Sequence, residues 1–443
     1  MRDYDTIIRQ ASVVTEEGVS VCDVGISGES FTAIESAISE SAETEINASG
    51  KFMFPGLVDA HVHFNEPGRG DWEGFATGST ALAAGGGTCF IDMPLNSAPP
   101  LLDIEAFEAK RKAGERNSRL DFALWAGLTP ESLPHLSDLA KCGVAGFKAF
   151  LCPSGLAEFQ PADEETLREG MKAAAEWDLP VAVHAESPEA LAAHWEKFPP
   201  PSPGSMRDWL ESRPVCAELA AIEMALACAM DTGCALHIVH VSSPQGIELV
   251  TTAKREGIDV TAETCPHYLL LNAEDACRIG PAAKCAPPLR PAEVVDGLWK
   301  MLAAGEVDTI GSDHSPSPPE LKQGDDFFAM WGGIAGAQHG FPLLIERAHR
   351  ELSWERLARL VSTNPARRFG LSEKKGRIAV GLDADFCLLA ADKFLIDRED
   401  LLARHPISPY VGMSSKWRVS STWLRGNPVS PATTGRFLSR IHD

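Results

Sequence analysis

The residues best suited to chemistry are histidines, one lysine and one aspartate standing in or just after short apolar runs. Two histidines lie one residue apart in Asp59-Ala-His61-Val-His63. On an extended segment, side chains at i and i+2 point to the same side, so both imidazoles can meet one metal ion. Lys148 sits inside Gly-Phe-Lys-Ala-Phe-Leu, where burying a charged amine is costly unless it is paired or chemically altered. Its neutral amine could add carbon dioxide and become a carbamate, an anionic ligand with two oxygens. His184 follows Val181-Ala-Val, His240 follows Leu236-His-Ile-Val, and Asp313 ends Val307-Asp-Thr-Ile-Gly-Ser. A carboxylate at such a place can hold a metal and accept a proton from water, or simply cap a turn. Each motif alone has a plain structural reading: turn histidines, a snorkelling lysine or a capping aspartate. Together they supply four imidazoles, one possible carbamate and one carboxylate, enough for two divalent ions sharing one water-derived ligand.

These residues need a scaffold that brings distant segments to one place. Eight apolar runs recur along the chain: Phe54–Ala60, Thr88–Met93, Leu120–Ala126, Ala145–Leu151, Val181–Ala185, Leu236–Val241, Ile258–Glu263 and Val307–Asp313. Helical candidates separate most of them, such as Glu164–Trp177, Ala217–Met230 and Pro244–Arg255, the last with Ser243 placed to cap it. Strands buried on both faces read as continuous apolar runs, and parallel strands need helical crossovers. The pattern predicts a (β/α)8 barrel, whose functional groups gather at the C-terminal ends of the strands. A doubly wound sheet is the alternative, but the phosphate-binding glycine fingerprint expected after its first strand is missing. Parity along the sixth strand places His237, at i−3, on the opposite side from His240.

Before the barrel, Asp5–Gln10, Gly18–Ile26 and Phe31–Ile34 read as strands, and acidic Glu35–Glu45 as a solvated loop. After a last helix near Trp354–Thr363, the chain returns to strand character in Gly376–Leu389, which is turn-rich and β-like. The two chain ends are therefore expected to form one small β-sandwich domain. The division is 1–51 and 373–443 for that domain and its tail, and 52–372 for the barrel. Phe198-Pro-Pro-Pro-Ser-Pro-Gly204 is expected as an exposed loop within the barrel.

Of 443 residues, 40 are basic and 62 acidic, a net charge of −22. Such a chain has no general attraction for nucleic acid or an anionic membrane. The glycine-rich stretch Gly74–Ile91 reads as helix, turn and strand rather than a membrane span. Eleven scattered cysteines without a CxxC pair, and an N-terminus without a secretory pattern, point to reduced thiols in the cytoplasm.

From Pro55-Gly-Leu-Val-Asp-Ala-His-Val-His63 to Gly376-Arg-Ile-Ala-Val-Gly-Leu-Asp-Ala-Asp385, the chain resembles the amidohydrolase superfamily, in the cyclic-amide branch that holds hydantoinases, dihydroorotases and allantoinases. The resemblance implies that His61 and His63 bind the more buried ion and His184 and His240 the other. It implies that Lys148, carboxylated on its amine, bridges both, and that Asp313 binds the first ion and moves protons. Glu263 and His267 would support the ligands or the fold. The ions would be zinc, or manganese, cobalt, iron or nickel, and the protein a homo-oligomer, often a tetramer.

Within that branch, Asn65–Phe75, Met93-Pro-Leu-Asn96, Ser312–Lys322 and Trp331-Gly-Gly-Ile-Ala-Gly336 are most similar to the allantoinase family. Dihydroorotases place an arginine two residues beyond the second histidine, to hold a substrate carboxylate. Asn65 stands there instead and cannot supply that charged fork. The expected substrate is therefore the neutral, amide-rich small molecule allantoin, opened to allantoate, with Asn96, Ser315, Trp331 and Asn65 as contacts. Ala286 departs from the serine common among relatives, which bears on substrate range. The competing readings are a hydantoinase or dihydropyrimidinase and, from a different class, a scaffold without catalysis.

Overall fold

The computed structural model describes residues 4–440. The first strands are β1 (Tyr4–Val14), β2 (Val19–Ser27), β3 (Ser30–Glu35), β4 (Ala42–Asn47) and β5 (Phe52–Pro55). The acidic segment expected as a loop thus contains a strand. Ile46 pairs with Ile8 and Thr44 with Thr6 in a parallel ladder to β1, while Glu43 and Glu45 stay exposed. Alternation decided the outcome there, because it leaves one face free to stay charged.

Eight parallel strands follow in chain order: β6 (Leu57–Val62), β7 (Gly87–Asp92), β8 (Asp121–Gly127), β9 (Gly146–Phe150), β10 (Val181–His184), β11 (Leu236–Ile238), β12 (Val260–Thr264) and β13 (Thr309–Ile310). A bridge between Val62 and His314 joins the last strand region to the first, which closes the barrel. Ser312 N–H donates to Asp59 Oδ1 at 3.0 Å, and His63 N–H to the His314 carbonyl at 2.8 Å, across the same seam. Val58, Ala60, Cys89, Ile91, Ala123, Trp125, Ala182 and Val239 fill the interior. Burying each of the larger of these stabilises the fold by roughly 1.5–3 kcal/mol. Crossover helices cover the outside, among them Glu164–Ala175 and Pro244–Arg255, the latter capped as expected by Ser243 Oγ accepting from Gly246 N–H.

The expected first barrel strand splits in two. Phe54 and Pro55 belong to the outer sheet, pairing with Cys387 and Phe386, and only from Leu57 does the chain enter the barrel. Gly56 makes the transition, donating its N–H to the Asp385 carbonyl at 3.1 Å. The outer sheet is completed by β14 (Phe386–Leu395), β15 (Ser414–Leu424) and β16 (Asn427–Pro428), in the order β16-β15-β14-β5-β1-β2-β3 with β4 beside β1. Both chain ends therefore meet in one mixed sheet.

Within the turn-rich, β-like stretch, Gly376–Asp385 runs as turns and the strand begins only at Phe386. The reason is ionic. Lys375 is fully buried, and its Nζ lies 2.6 Å from Asp121, 2.7 Å from Asp383 and 2.7 Å from Asp385. Arg425 also pairs with Asp121, and its N–H donates to Asp385 at 2.8 Å. Asp121 opens β8, so this cluster locks the N-terminal end of the barrel to the outer sheet. Residues 435–440 run across the same end, with Phe437 bridging to Phe122.

Candidate active site

At the opposite end, the C-terminal ends of the strands surround a cavity of about 360 Å³. His61, His63, His184, His240 and Asp313 all line it. His61 Nδ1 donates to Glu263 Oε1 at 2.7 Å, and its Nε2 lies 3.3 Å from Asp313 Oδ1. His63 Nε2 lies 3.5 Å from the same oxygen. Two acceptors facing each other at such a distance require a proton or a cation between them. The three residues have donor atoms within 4.8 Å of one another.

The second pair is built in the same way. His184 Nε2 donates to Glu186 Oε2 at 2.8 Å, which leaves Nδ1 to face His240 Nε2 at 3.0 Å. The His184 ring stacks on Phe150 at 4.5 Å and 13°. Burial pushes His63, His184 and His240 below the usual histidine range, toward the neutral form a metal would need, whereas at His61 the pull of Asp313 and Glu263 outweighs burial and holds the imidazole above that range. Asp313 is held well below the usual carboxylate range, since the surrounding imidazoles outweigh the cost of its burial. Asp313 and His240 both adopt positive φ, 45° and 40°, and the backbone there turns their side chains into the mouth.

That turn corrects the parity expected for the sixth strand. His237 pairs in register with Ala182 of the barrel interior, packs on Phe369 at 5.1 Å and lies 3.6 Å from Glu263. It shares the inner side with His240, because the strand ends at Ile238 and the left-handed residue resets the alternation.

Lys148 is completely buried in β9. Its Nζ donates to the Ala149 carbonyl at 3.1 Å and rests 3.8 Å from the Phe150 ring centre. Neither neighbour carries a full negative charge, and burial pushes the amine down to about 7. A substantial neutral fraction near neutral pH is what carbamate formation requires.

The donor set fits a metal centre on this structure's own terms. Lone pairs converge from both histidine pairs, and carboxylates stand behind them. Such outer carboxylates fix the tautomer and orientation of a ligating imidazole. Burial pushes Glu263 up, but His61 and His237 hold it down near about 2. Gly311 is required beside this pair, because a Cβ there would fall 2.6 Å from Glu263 Oε2 and 3.0 Å from His61 Cβ.

Asn96, Ser315 and Trp331 also line the cavity, and Ala286 with them. Asn96 has φ 68°, and its amide lies 3.4 Å from His63 Nδ1, so it touches a histidine as well as the cavity. Trp331 stands edge-on to Trp72 at 5.0 Å. Gly333 has φ 129°, and a side chain there would collide with the Ser315 carbonyl, so the glycines of the Trp331 motif allow it to dock on the Asp313 loop. Asn65 is placed differently: it is fully buried outside the cavity lining, its amide donating to the Pro316 carbonyl at 3.3 Å.

Sequence reasoning missed Glu186 and Arg213. Arg213 grips Glu186 through two nitrogens, at 2.9 and 2.5 Å, behind His184. Glu186 was findable, since i+2 from a strand-end histidine is the same spacing that marked His61 and His63. Arg213 lies far along the chain and carries no local signal.

The closed parallel barrel, the added mixed sheet and this ligand cluster define a class, and the chain belongs to the amidohydrolase family, matched over residues 52–429. It is 51% identical over 428 residues to the allantoinase of Deinococcus radiodurans, covering 96% of this chain and 95% of that one. To the allantoinase of Rubrobacter xylanophilus it is 49% identical over 432 residues, covering 97% and 95%. Among solved structures, the L-hydantoinase (dihydropyrimidinase) from Arthrobacter aurescens superposes with a TM-score of 0.93 at 34% identity, covering 98% of this chain and 97% of that one.

Proposed function

We propose that this chain hydrolyses a ring amide of allantoin to give allantoate. The reaction class rests on one observation: four histidines and Asp313 converge on a single cavity, with Lys148 buried close behind. Near-full-length likeness to the Deinococcus allantoinase supports the substrate. In this reading His61, His63 and Asp313 would hold one divalent ion and His184 and His240 the other, and Lys148, carboxylated on its amine, would serve both. Zinc suits the nitrogen and oxygen donors, and manganese, cobalt, iron and nickel are compatible. When bound, such ions make water more acidic and polarise a carbonyl.

The protein's own groups do the rest. Asp313, kept ionised by its imidazole neighbours, takes a proton from the attacking water and delivers it to the departing ring nitrogen. Glu263 and Glu186 keep His61 and His184 in the tautomers that present Nε2 and Nδ1 to the mouth. Trp331, Ser315 and Asn96 line the wall that the neutral ring meets. Asn65 would act by bracing the Pro316 segment next to Ser315.

The likeness to an L-hydantoinase favours one rival, a hydantoinase or dihydropyrimidinase with the same metals. Ring opening of allantoin, 5-methylhydantoin, dihydrouracil and dihydroorotate by the metal-loaded protein separates them. The expected result is a preference for allantoin of about a hundredfold in kcat/KM, equivalent to about 2.7 kcal/mol. A preference for dihydrouracil or 5-methylhydantoin overturns the substrate and keeps the reaction class. We also take the protein to be a cytoplasmic homotetramer, supported by family likeness and by the unpaired state of its described cysteines.

A further inference from the structure

One wall of the cavity takes no part in holding the ligands. The segment between β10 and β11, which includes the exposed proline-rich loop, carries the short helix Met206–Glu211 and with it Trp209. Trp209 Nε1 donates to the Cys285 carbonyl at 3.1 Å, and its ring meets Phe328 edge-on at 5.6 Å. Asp326 ties this segment to the one carrying Phe328, accepting from Gly204 N–H at 3.1 Å and Phe328 N–H at 3.0 Å. Two loops distant in sequence therefore lock together as one wall.

Two cations lie against the Trp209 ring: the Arg213 guanidinium at 5.1 Å and the Lys284 ammonium at 4.0 Å. They differ in how their charge is met. Arg213 is matched by Glu186. Lys284 is almost wholly buried, lines the cavity, and donates one hydrogen bond to the Met330 carbonyl. A carbonyl and an indole face lie against it and neither neutralises a full charge, while Asp326 favours the charged form from farther off and makes no ion pair with it among the described residues. An ammonium has three donors, so Lys284 retains unused donor capacity where a ligand would lie. Burial pushes its amine down to about 8, with Arg213 adding to the effect, which leaves it mainly protonated at neutral pH.

We propose that Lys284 is a specificity-determining residue, whose ammonium donates to an acceptor oxygen on the substituent next to the scissile ring carbonyl. The proposal rests on the allantoin reading, in which that substituent is a neutral ureido group. The ring must place its reacting carbonyl among the histidines and Asp313, so the substituent is the part left to reach the Trp209–Lys284–Phe328 wall. A ureido carbonyl is a strong acceptor, and its planar body suits an aromatic wall. An alkyl substituent would leave the ammonium without its partner.

The test compares kcat/KM for allantoin and for 5-methylhydantoin, which lacks the ureido group, in the wild-type enzyme and in Lys284→Met. Methionine matches the length and can pack on Trp209 without charge. The expected result is a loss of about tenfold to a hundredfold on allantoin, the range of a charge-assisted hydrogen bond. On 5-methylhydantoin the change should stay within about threefold, and Lys284→Arg should restore much of the allantoin preference. Equal losses on both substrates would make Lys284 only a brace for the Met330 segment and overturn the proposal, as would an unchanged ratio. If Lys284→Met does not fold, the same ratio in Lys284→Gln decides. A wild-type enzyme with no preference for allantoin would instead refute the substrate reading, before any variant is made.

Discussion

The barrel carries a buried ionic cluster at each end, and the two are opposites in balance. At the N-terminal end, Lys375 meets Asp121, Asp383 and Asp385 within 2.7 Å and Arg425 supplies a second cation. Three carboxylates gathered like this could be taken for a metal site. The protein's own cation already fills it, so it serves to join barrel and outer sheet. At the C-terminal end four imidazoles and one carboxylate converge, and among the described residues no lysine or arginine pairs with Asp313, while the buried Lys148 donates to a backbone carbonyl rather than to a carboxylate. Clusters of similar composition thus have different fates. A buried cluster that satisfies itself is structure, and one that needs an external partner is a site.

The sharpest test of this contrast is Asp313→Asn. It should keep the fold while lowering kcat about ten-thousandfold, the upper end of what a proton-transferring group contributes. Full turnover in the metal-loaded variant would remove Asp313 from the mechanism. The reciprocal change is Lys375→Met, which leaves Arg425 as the one remaining cation for three carboxylates and should cost about 3–5 kcal/mol of stability in denaturant titration. The molecules that remain folded should bind metal with unaltered stoichiometry. A loss of metal at this distance would show that the two ends are not independent.

His267 offers an intermediate case, since it lies behind the mouth with both ring nitrogens unpartnered among the described residues. Burial pushes it from 6.5 down to about 4. Between those values the unfolded chain binds the proton that the folded chain refuses. Its contribution therefore makes stability fall as pH drops from about 6.5 to about 4, by up to about 3 kcal/mol. His267→Phe should flatten that acid slope, and an unchanged slope would place the acid sensitivity elsewhere. The smallest expected effect is that of Glu186→Gln, which loosens His184 and leaves Arg213 unmatched. Metal affinity, measured by competition with a chelator, should fall about tenfold to a hundredfold. Retained affinity with lost stability would move Glu186 from the site into the scaffold.

The histidines and the aspartate at the mouth were legible because a parallel barrel sends every strand end to one place, so reading strand ends in order amounts to reading the lining. His61, His63, His184, His240 and Asp313 each followed an apolar run, and all five line the cavity. Legibility failed where the backbone left its regular period. The left-handed turn at His240 defeated the parity argument for His237, and Gly56 divided one apolar run between two sheets. It failed again where partners are remote, as with Arg213 on Glu186 and Lys284 against Trp209.

The sequence by itself determined the alternation of apolar runs and helices, the chemical types at the strand ends, and the net negative charge. Those are local or additive properties, carried by periodicity and composition. Only the tertiary structure decided which buried charges satisfy one another, which way each imidazole nitrogen points, and which residues wall the cavity. Those outcomes depend on distances between segments far apart in the chain, which periodicity and composition do not carry.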